Sequence, residues 1–395
     1  MITRIVEKIA VKKTKRKAQP IYEQIRRQFR HMIETDELKV GVQLPSISAL
    51  SQELNVNYRT VKSALELLEK DGVISCGPNR HAVVTGTPES RMSAKEKMSI
   101  SFIRLAGAPF WLSISEGISR FVQECKSRCI FVDAASSHEK VINAIVAPGE
   151  GINGLLLAPF ELPEYKKAIN KAINNGIKIV FVDRELHGLD VSSVSADHFS
   201  GAYQATKHLL NIHERPVYHI GTINQLSSCR EWVKGWKAAM SEYNFTDFDS
   251  YLFKTDVTEA EVASSEFGYL QHDVRNATRF FETHKEKVYY IFAGNDYVAR
   301  GVYIAAENKG LKVGQDIFIV GFNNSPFAKR LSVPLTSVKQ PSEQVGYEAA
   351  RVLYERLSGV LSEPVHRLLP VNLIIRQSST GVPNSEKQDV NHKSL

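Results

Sequence analysis

From residue 98 onward, short apolar runs alternate with amphipathic helical patterns over about 280 residues. The runs are four or five residues long and rich in Val, Ile, Leu and Phe, which suits buried strands better than helices. Strands that alternate with helices form parallel sheets covered on both faces. The sequence therefore predicts an α/β fold, with strands at 99–103, 129–132, 154–157, 178–182, 217–220, 288–292 and 317–320 and helices at 111–126 and 165–175.

Polar residues directly follow three of these predicted strands: Asp183-Arg184, Asn295-Asp296 and Asn323-Asn324. In open α/β sheets, ligands bind at the carboxyl ends of the strands. These residues are therefore candidate ligand contacts. Asp183 and Arg184 could instead form only an ion pair at a strand end, and Asp296 fits a cap of the following helix better than a contact.

The residues before position 98 show a different pattern, one of short helices. Residues 44–65, LPSISALSQELNVNYRTVKSAL, contain two short helical patterns with a break at Asn55-Val56-Asn57. Leu50 and Leu54 share an apolar face in the first pattern, and Val61 and Leu65 share one in the second. Two short helices joined by a tight turn predict a helix-turn-helix, with the second helix in the DNA major groove.

The exposed start of the second helix carries donors, one aromatic ring and cations, which suits contacts to bases and phosphates. A merely solvated pair of helices, which would more often mix Glu with Lys, is the alternative. The candidate DNA contacts there are Asn57, Tyr58, Arg59, Thr60 and Lys62.

The flanking segments fit the same module. Residues 21–35 predict a helix that begins after Pro20, with Arg26, Arg27 and Arg30 on its polar side. Residues 73–76 and 80–84 predict a β-hairpin after the second helix. Such a hairpin is a wing that can place Arg80 along the DNA backbone or in the minor groove.

Charge is uneven along the chain. Residues 1–91 contain 16 Lys and Arg against 10 Asp and Glu, so most of the net charge of +7 lies there. A positive field at the helix-turn-helix is what a phosphate-binding module needs. The basic arm of residues 1–18 could alternatively serve solubility alone.

Other classes of protein find little support. Cys76, Cys125, Cys129 and Cys229 are too scattered for a disulfide framework or a metal site. No nucleophile motif or phosphate loop is evident, and carboxylates such as Glu161 have no evident partner. We therefore expect that the protein is not an enzyme and that it binds neither a cofactor nor a metal ion. No signal peptide or membrane-length apolar stretch is visible, so we also expect a cytoplasmic protein.

We expect five segments: a basic arm (1–18), a DNA-binding domain (19–85), a linker (86–97), an effector-binding domain (98–380) and a disordered tail (381–395). The linker is assigned from its polar composition and its lack of periodicity.

Residues 20–84 resemble the winged helix-turn-helix of the gluconate-repressor (GntR) family. The resemblance rests on PIYEQI (20–25), LPS (44–46), TVKSALELL (60–68) and DGVI (71–74). It implies that Ser46 and Ser48 also face DNA. The chain departs from the family at Ser48, where an arginine is usual, and at Asn57-Tyr58, which replace Ser-Arg. The operator therefore cannot be inferred from the family.

Residues 98–380 resemble the effector domain of the lactose/galactose-repressor (LacI/GalR) family, which is related to periplasmic sugar-binding proteins. APFW (108–111), IVFVDRE (179–185), CREWVKGW (229–236), FAGND (292–296) and TSVKQP (336–341) carry it. The resemblance implies two Rossmann-like lobes with a ligand between them. The implied ligand-binding residues are Phe110, Trp111, Asp183, Arg184, Arg230, Asn295, Asn323 and Gln340, with the two aromatic rings stacking on a sugar.

Both resemblances together imply an arabinose-repressor-like regulator. We expect a homodimer that binds double-stranded operator DNA and acts as a repressor. We expect its effector to be a monosaccharide such as arabinose or fucose. Asn323 replaces the aspartate usual in the family, and Asp183 against Arg184 and Arg230 gives the predicted cleft a net charge of +1. An acidic or phosphorylated sugar is therefore the alternative effector, and a sugar-modifying enzyme is a remote one.

Overall fold

The structure is a computed structural model that describes residues 20–35, 37–39, 41–76, 82–85, 98–104, 109–134, 137–221, 226–256 and 266–381. The chain forms two compact units, Met1–Lys97 with Tyr354–Ser362, and Met98–Leu353 with Glu363–Leu395. The predicted arm, the linker and all of the predicted tail except Gly381 lie outside the described residues. No helix in the described ranges is both long and apolar enough to cross a membrane.

The first unit contains the predicted helix-turn-helix and its hairpin. Its elements are α1 (Ile21–Glu34), α2 (Ile47–Glu53), α3 (Tyr58–Lys70), β1 (Ile74–Cys76) and β2 (Ala82–Val84), and β1 and β2 pair antiparallel. The side chain of Asn57 accepts a hydrogen bond from the Arg59 backbone and so caps α3. The apolar faces predicted for both helices are buried in one core, including Leu50, Leu54 and Leu65.

The second unit contains two sheets, each belonging to one lobe. The N-lobe carries β3 (Ser99–Arg104), α4 (Pro109–Glu124), β4 (Arg128–Asp133), α5 (His138–Val146), β5 (Gly154–Leu157), α6 (Pro163–Asn174), β6 (Lys178–Val182), β7 (Ser192–Ala196) and β13 (His366–Leu369). Its strand order is β13-β7-β6-β5-β3-β4, and all of these pairs are parallel.

The C-lobe is built in the same way, with one difference. It carries α7 (His198–His213), β8 (Tyr218–Gly221), α8 (Ser227–Glu242), β9 (Leu252–Lys254), α9 (Glu266–Thr283), β10 (Tyr289–Ala293), α10 (Asp296–Asn308), β11 (Ile317–Phe322), β12 (Thr336–Lys339), β14 (Asn372–Ile374) and α12 (Gln377–Thr380). The strand order is β14-β12-β11-β10-β8-β9. The edge strand β14 is antiparallel to β12, so this sheet is mixed rather than wholly parallel.

The chain passes between the lobes three times. It does so between β7 and α7, between β12 and α11 (Ser342–Leu357), and between β13 and β14. The backbone N–H of Asp197 in the first passage donates to the carbonyl of Leu369 in the third, at 2.8 Å. Helix α11 packs on the N-lobe helix α4 so closely that a side chain at Gly117 or Gly346 would collide with the facing backbone.

The predicted strands and helices of this unit are confirmed, and no bound differs by more than two residues. Strands β7, β9, β12, β13 and β14 were not predicted, and β7 shows one reason. Its sequence, Ser-Ser-Val-Ser-Ala, is polar, yet all five residues are buried. Ser192 accepts a hydrogen bond from the backbone of Val365, and Ser193 donates one to Glu185. This satisfies polar groups that an apolar strand would not contain.

Candidate functional site

The start of α3 presents the predicted DNA-binding face to solvent. Asn57, Tyr58, Arg59 and Lys62 are exposed, and the Tyr58 ring is 43% exposed. Thr60 is half-buried. The Lys62 ammonium lies 3.5 Å from the Glu66 carboxylate one turn later. The structure thus leaves donors, a ring and two cations together on one accessible surface, as groove recognition requires.

The two predicted serines have different surroundings. Ser46 caps α2 by accepting a hydrogen bond from the backbone of Ala49, which occupies its hydroxyl oxygen and leaves its hydrogen available. Ser48 is exposed on the first turn of α2. Arg80 lies outside the described residues, so the structure gives no account of the predicted wing contact.

The basic side of α1 is largely occupied within the unit. Arg26 donates to both carboxylate oxygens of Asp71, at 2.8 and 3.0 Å, and also bonds with Glu23. These hydrogen bonds raise the pKa of the Arg26 guanidinium above its ordinary value. Asp71 is the C-cap of α3, so this bidentate pair fixes α1 against the end of the recognition helix. Arg27 remains exposed.

In the second unit, candidate ligand residues follow equivalent strands of the two lobes. Asp183 follows β6, and Asn323 follows β11. Both have positive φ angles, 67° and 102°, and each backbone N–H donates to the adjacent strand, to Val194 and Val338 respectively. Asp and Asn tolerate this left-handed backbone better than other non-glycine residues do, and such backbone is common at binding sites.

Asp183 is buried and bound by a histidine that the sequence reading missed. The Nε2 atom of His198 lies 3.1 Å from the Asp183 carbonyl oxygen and 3.3 Å from its Oδ1 atom. The carboxylate also lies 3.6 Å from Arg184 Nε. Asp183 therefore has two basic neighbours, and His198 connects the end of β6 to the first turn of α7.

Arg184 changes the role expected of Trp111. The Arg184 guanidinium carbon lies 5.4 Å from the Trp111 ring centroid and 5.1 Å from that of Phe160. Trp111 is only 5% exposed and also contacts Phe110, with 4.9 Å between ring centroids. A cation thus already contacts the ring that we expected to stack on a sugar. Phe160, which follows β5, was not predicted.

Asn295, rather than Asp296 as predicted, caps α10. Its side-chain oxygen accepts from the backbones of Tyr297 and Val298. Its amide nitrogen is the group left for a ligand. Asp296 is fully buried and accepts hydrogen bonds from Ser337 Oγ and the Ser325 backbone. Burial raises the Asp296 pKa to about 7 despite these donors.

The two remaining predicted C-lobe residues contact each other. Gln340 donates from Nε2 to Asn323 Oδ1 at 2.6 Å, and Gln340 Oε1 is buried without a partner among the described residues. The neighbouring Asn324 accepts from Arg376 at 2.7 Å and is a structural residue of the C-lobe. Asn323 and Gln340 thus form one amide pair at the carboxyl ends of β11 and β12.

Arg230 pairs with Glu161, for which no partner was evident from the sequence. Its guanidinium contacts the Glu161 carboxylate, which follows β5 in the N-lobe. Burial raises the Glu161 pKa, but the bond with Arg230 outweighs it and the net shift is downward. With this carboxylate included, the two cleft cations face two carboxylates, and the predicted net charge of +1 becomes zero.

The segment that contains Arg230 also contains Trp232 and Gly235. In CREWVKGW, the residue three places before Gly235 is Trp232, whereas Arg230 is five places before it. Gly235 has a packing role, since a side chain there would collide with the carbonyl oxygen of Phe199 on α7. Trp232, on the same helix, was not among the predicted ligand-binding residues.

Several buried polar atoms around these residues have no hydrogen-bond partner among the described residues: Arg184 Nε and Nη1, His198 Nδ1, Arg230 Nη2, Trp232 Nε1 and Gln340 Oε1. Leaving a buried polar group unpaired costs roughly 1–3 kcal/mol. The ion pairs of Arg184 and Arg230 leave these atoms without a hydrogen bond, and a polar ligand is able to form one with each of them. They come from both lobes.

Comparisons with known proteins agree with this architecture. Residues 21–84 match the gntR family of bacterial regulatory proteins, and residues 206–379 match the periplasmic binding protein-like domain. The HTH-type transcriptional regulator DegA of Bacillus subtilis is 25% identical over 338 residues, which cover 85% of this chain and 95% of DegA.

Solved structures show the same fold. A LacI family transcriptional regulator from Enterococcus faecium with bound ribose is 22% identical, with a TM-score of 0.60 over 72% of this chain and 99% of that one. The transcriptional regulator CelR in complex with cellobiose is 18% identical, with a TM-score of 0.62 over 85% of this chain and all of that one. This chain is therefore a DNA-binding transcriptional regulator in which a gntR-family helix-turn-helix is fused to a periplasmic-binding-protein-like domain similar to that of LacI-family regulators.

Proposed function

We propose that this protein regulates genes of sugar uptake or catabolism, and that a neutral monosaccharide bound between the two lobes alters its affinity for operator DNA. The observation that carries this proposal is a group of buried polar atoms from both lobes that have no hydrogen-bond partner among the described residues, including Arg184 Nη1, Trp232 Nε1 and Gln340 Oε1. Hydroxyl groups of a sugar can both donate to and accept from such atoms.

Charge balance favours a neutral ligand over an acidic one. Arg184 lies beside Asp183, and Arg230 pairs with Glu161, so each cation in the cleft has a carboxylate of its own. A carboxylated or phosphorylated sugar would have to compete with these partners. A pentose or deoxyhexose such as arabinose or fucose fits this balance. The sugars named for the two structural relatives, ribose and cellobiose, are also uncharged.

Allosteric control follows from the position of the ligand. A sugar that contacts both lobes binds the closed cleft more tightly than the open one and so increases the closed population. A coupling of about 1–3 kcal/mol changes operator affinity several-fold to roughly hundred-fold. We propose derepression, in which sugar binding releases DNA.

The assembly and domain limits belong to the same proposal. Two copies would pair through residues 98–380 and place their recognition helices on two operator half-sites. Residues 19–85 would bind DNA, 86–97 would be the linker, and 1–18 a basic arm that touches phosphates. A protein whose partner is operator DNA acts in the cytoplasm.

A gel-shift assay on the DNA upstream of the protein's own gene tests this function. We expect a shifted band that one neutral sugar from a panel of pentoses and hexoses abolishes, and light scattering should give the mass of a dimer. A band that no sugar changes, or a band that only sugar acids change, would contradict the proposal.

A further inference from the structure

Two tryptophans on α8 differ in what their indole nitrogens contact. Trp236 donates from Nε1 to the carbonyl oxygen of Val217 at 2.8 Å. Trp232, one turn earlier, is 9% exposed, and its Nε1 atom has no acceptor among the described residues. A buried indole N–H normally has a hydrogen-bond partner. Trp232 is thus a donor whose acceptor is not supplied by the described part of the chain.

His198 lies beside Trp232 and presents the complementary group. The two ring centroids are 5.7 Å apart, with the rings nearly perpendicular. His198 Nε2 lies 3.1 Å from the Asp183 carbonyl oxygen, which can only accept, so Nε2 carries the hydrogen. In the neutral ring, Nδ1 then carries a lone pair. This atom is also buried and has no partner among the described residues.

We infer that Trp232 and His198 form a specificity-determining pair that binds one hydroxyl group of the effector, or two adjacent ones. Trp232 Nε1 donates to the hydroxyl oxygen, and His198 Nδ1 accepts the hydroxyl hydrogen. This inference rests on the proposed sugar-binding function and deepens it, because it names the chemical group that the site selects.

The pair discriminates between a hydroxyl and a carboxylate. A hydroxyl both donates and accepts, so it satisfies both nitrogens. A carboxylate oxygen only accepts, so it would face the lone pair of His198 Nδ1. Asp183 holds the histidine in this tautomer, and Phe322, whose ring centroid is 5.1 Å from that of Trp232, fixes the indole. The site therefore prefers an uncharged sugar to the corresponding sugar acid.

The experiment compares Trp232→Phe with Trp236→Phe in the full chain. Thermal shift and calorimetry would use ribose, arabinose, fucose, glucose and galactose, together with glucuronate and galacturonate. We expect wild type to bind a neutral sugar and to bind the sugar acids at least tenfold more weakly. Trp232→Phe should lose at least tenfold in affinity for that sugar. Trp236→Phe should lower the melting temperature while leaving the affinity within twofold.

Deoxy analogues of the bound sugar test whether Trp232 contacts the hydroxyl. If Trp232 were only structural, its replacement would not change the affinity difference between the sugar and its deoxy analogue. In wild type, removal of the contacted hydroxyl should weaken binding at least tenfold. In Trp232→Phe only the His198 contact remains, so the same removal should cost clearly less affinity than it does in wild type. The unliganded melting temperature and binding to duplex DNA show whether each variant folds. If Trp232→Phe fails to fold, His198→Gln is compared in the same way.

These measurements distinguish failure of the proposed sugar-binding function from failure of the Trp232–His198 inference. If wild type binds no sugar of the panel, the proposed function and this inference are both overturned. If wild type binds a neutral sugar but Trp232→Phe keeps that affinity within twofold, only the inference is overturned. Tighter binding of glucuronate or galacturonate than of the neutral sugars would also overturn it.

Discussion

Arg230 on α8 of the C-lobe forms an ion pair with Glu161, which follows β5 of the N-lobe. The same region makes a second contact between the lobes, because the Glu185 backbone donates to Ser227 Oγ at 2.8 Å. Leu226, just before α8, packs against the cores of both lobes. The beginning of α8 thus joins the lobes through charge, a hydrogen bond and apolar contact.

Glu161→Gln should shift the unliganded protein toward an open cleft. The two side chains are 22% and 28% exposed, so the pair contributes at most about 1 kcal/mol, which is still a several-fold change in population. Small-angle X-ray scattering should show a larger radius of gyration for the variant. Glu242→Gln, which breaks the Lys207 pair within the C-lobe, is the matched control and should leave the scattering curve unchanged. Identical curves for wild type and Glu161→Gln would contradict this role.

Arg59→Ala should weaken DNA binding without lowering stability. Arg59 is exposed at the start of α3, and a lost phosphate contact reduces the dependence of log K on log salt by about one unit. Fluorescence anisotropy with duplex DNA over a range of salt concentrations measures this slope. Lys70→Ala, in the last turn of the same helix, should retain the wild-type slope. Equal losses in the two variants would mean that general charge, rather than this face, binds DNA.

His219 should make the protein less stable as the pH falls. Burial lowers its pKa from 6.5 to about 4. Between these values the unfolded chain binds a proton that the folded chain does not, so the free energy of unfolding decreases from pH 6.5 toward pH 4. In urea titrations His219→Gln should show a shallower decrease, while His187→Gln, at an exposed site, should keep the wild-type slope. A His219→Gln slope equal to wild type would refute this assignment.

Asp296 should have the opposite effect at higher pH. Its pKa is raised by burial from 3.8 to about 7, so the folded chain retains a proton that the unfolded chain has lost. Stability should therefore fall as the pH rises from about 4 to 7. Asp296→Asn cannot ionise and should lose this slope, measured by urea unfolding at pH 5 and pH 8. Asp316→Asn, which replaces a half-buried carboxylate that accepts from the Lys312 backbone, serves as the control. If Asp296→Asn keeps the wild-type slope, another group causes it.

The cleft shows where sequence reasoning succeeded and where it could not. The sequence predicted that Asp183 and Asn323 follow strands, and in the structure they follow β6 and β11 of the two lobes, while their contacts with a ligand stay predictions. The neighbours of these residues were not predictable. The sequence shows that Arg184 exists, but only the packed structure places its guanidinium between Trp111 and Phe160.

Asn295 and Asp296 illustrate a subtler limit. The sequence predicts that one of two adjacent polar residues begins α10, and either side chain can cap a helix. Which residue turns inward depends on Ser337, which lies 41 residues away and donates to Asp296. The local sequence does not contain this distant donor, so it does not show which of the two residues is buried.

The sequence by itself determined the helix-turn-helix, the positions of the strands and the order of the two modules, because apolar periodicity and helix caps act over a few residues. The tertiary structure alone decided that Glu161 meets Arg230, 69 residues away, and that Trp232 and His198 lie side by side. The Trp232–His198 contact lies within the C-lobe, where α7 packs on α8, whereas the Glu161–Arg230 contact depends on how the two lobes close on each other. The free energy of that closure is a sum over many distant pairs, which no short stretch of sequence encodes.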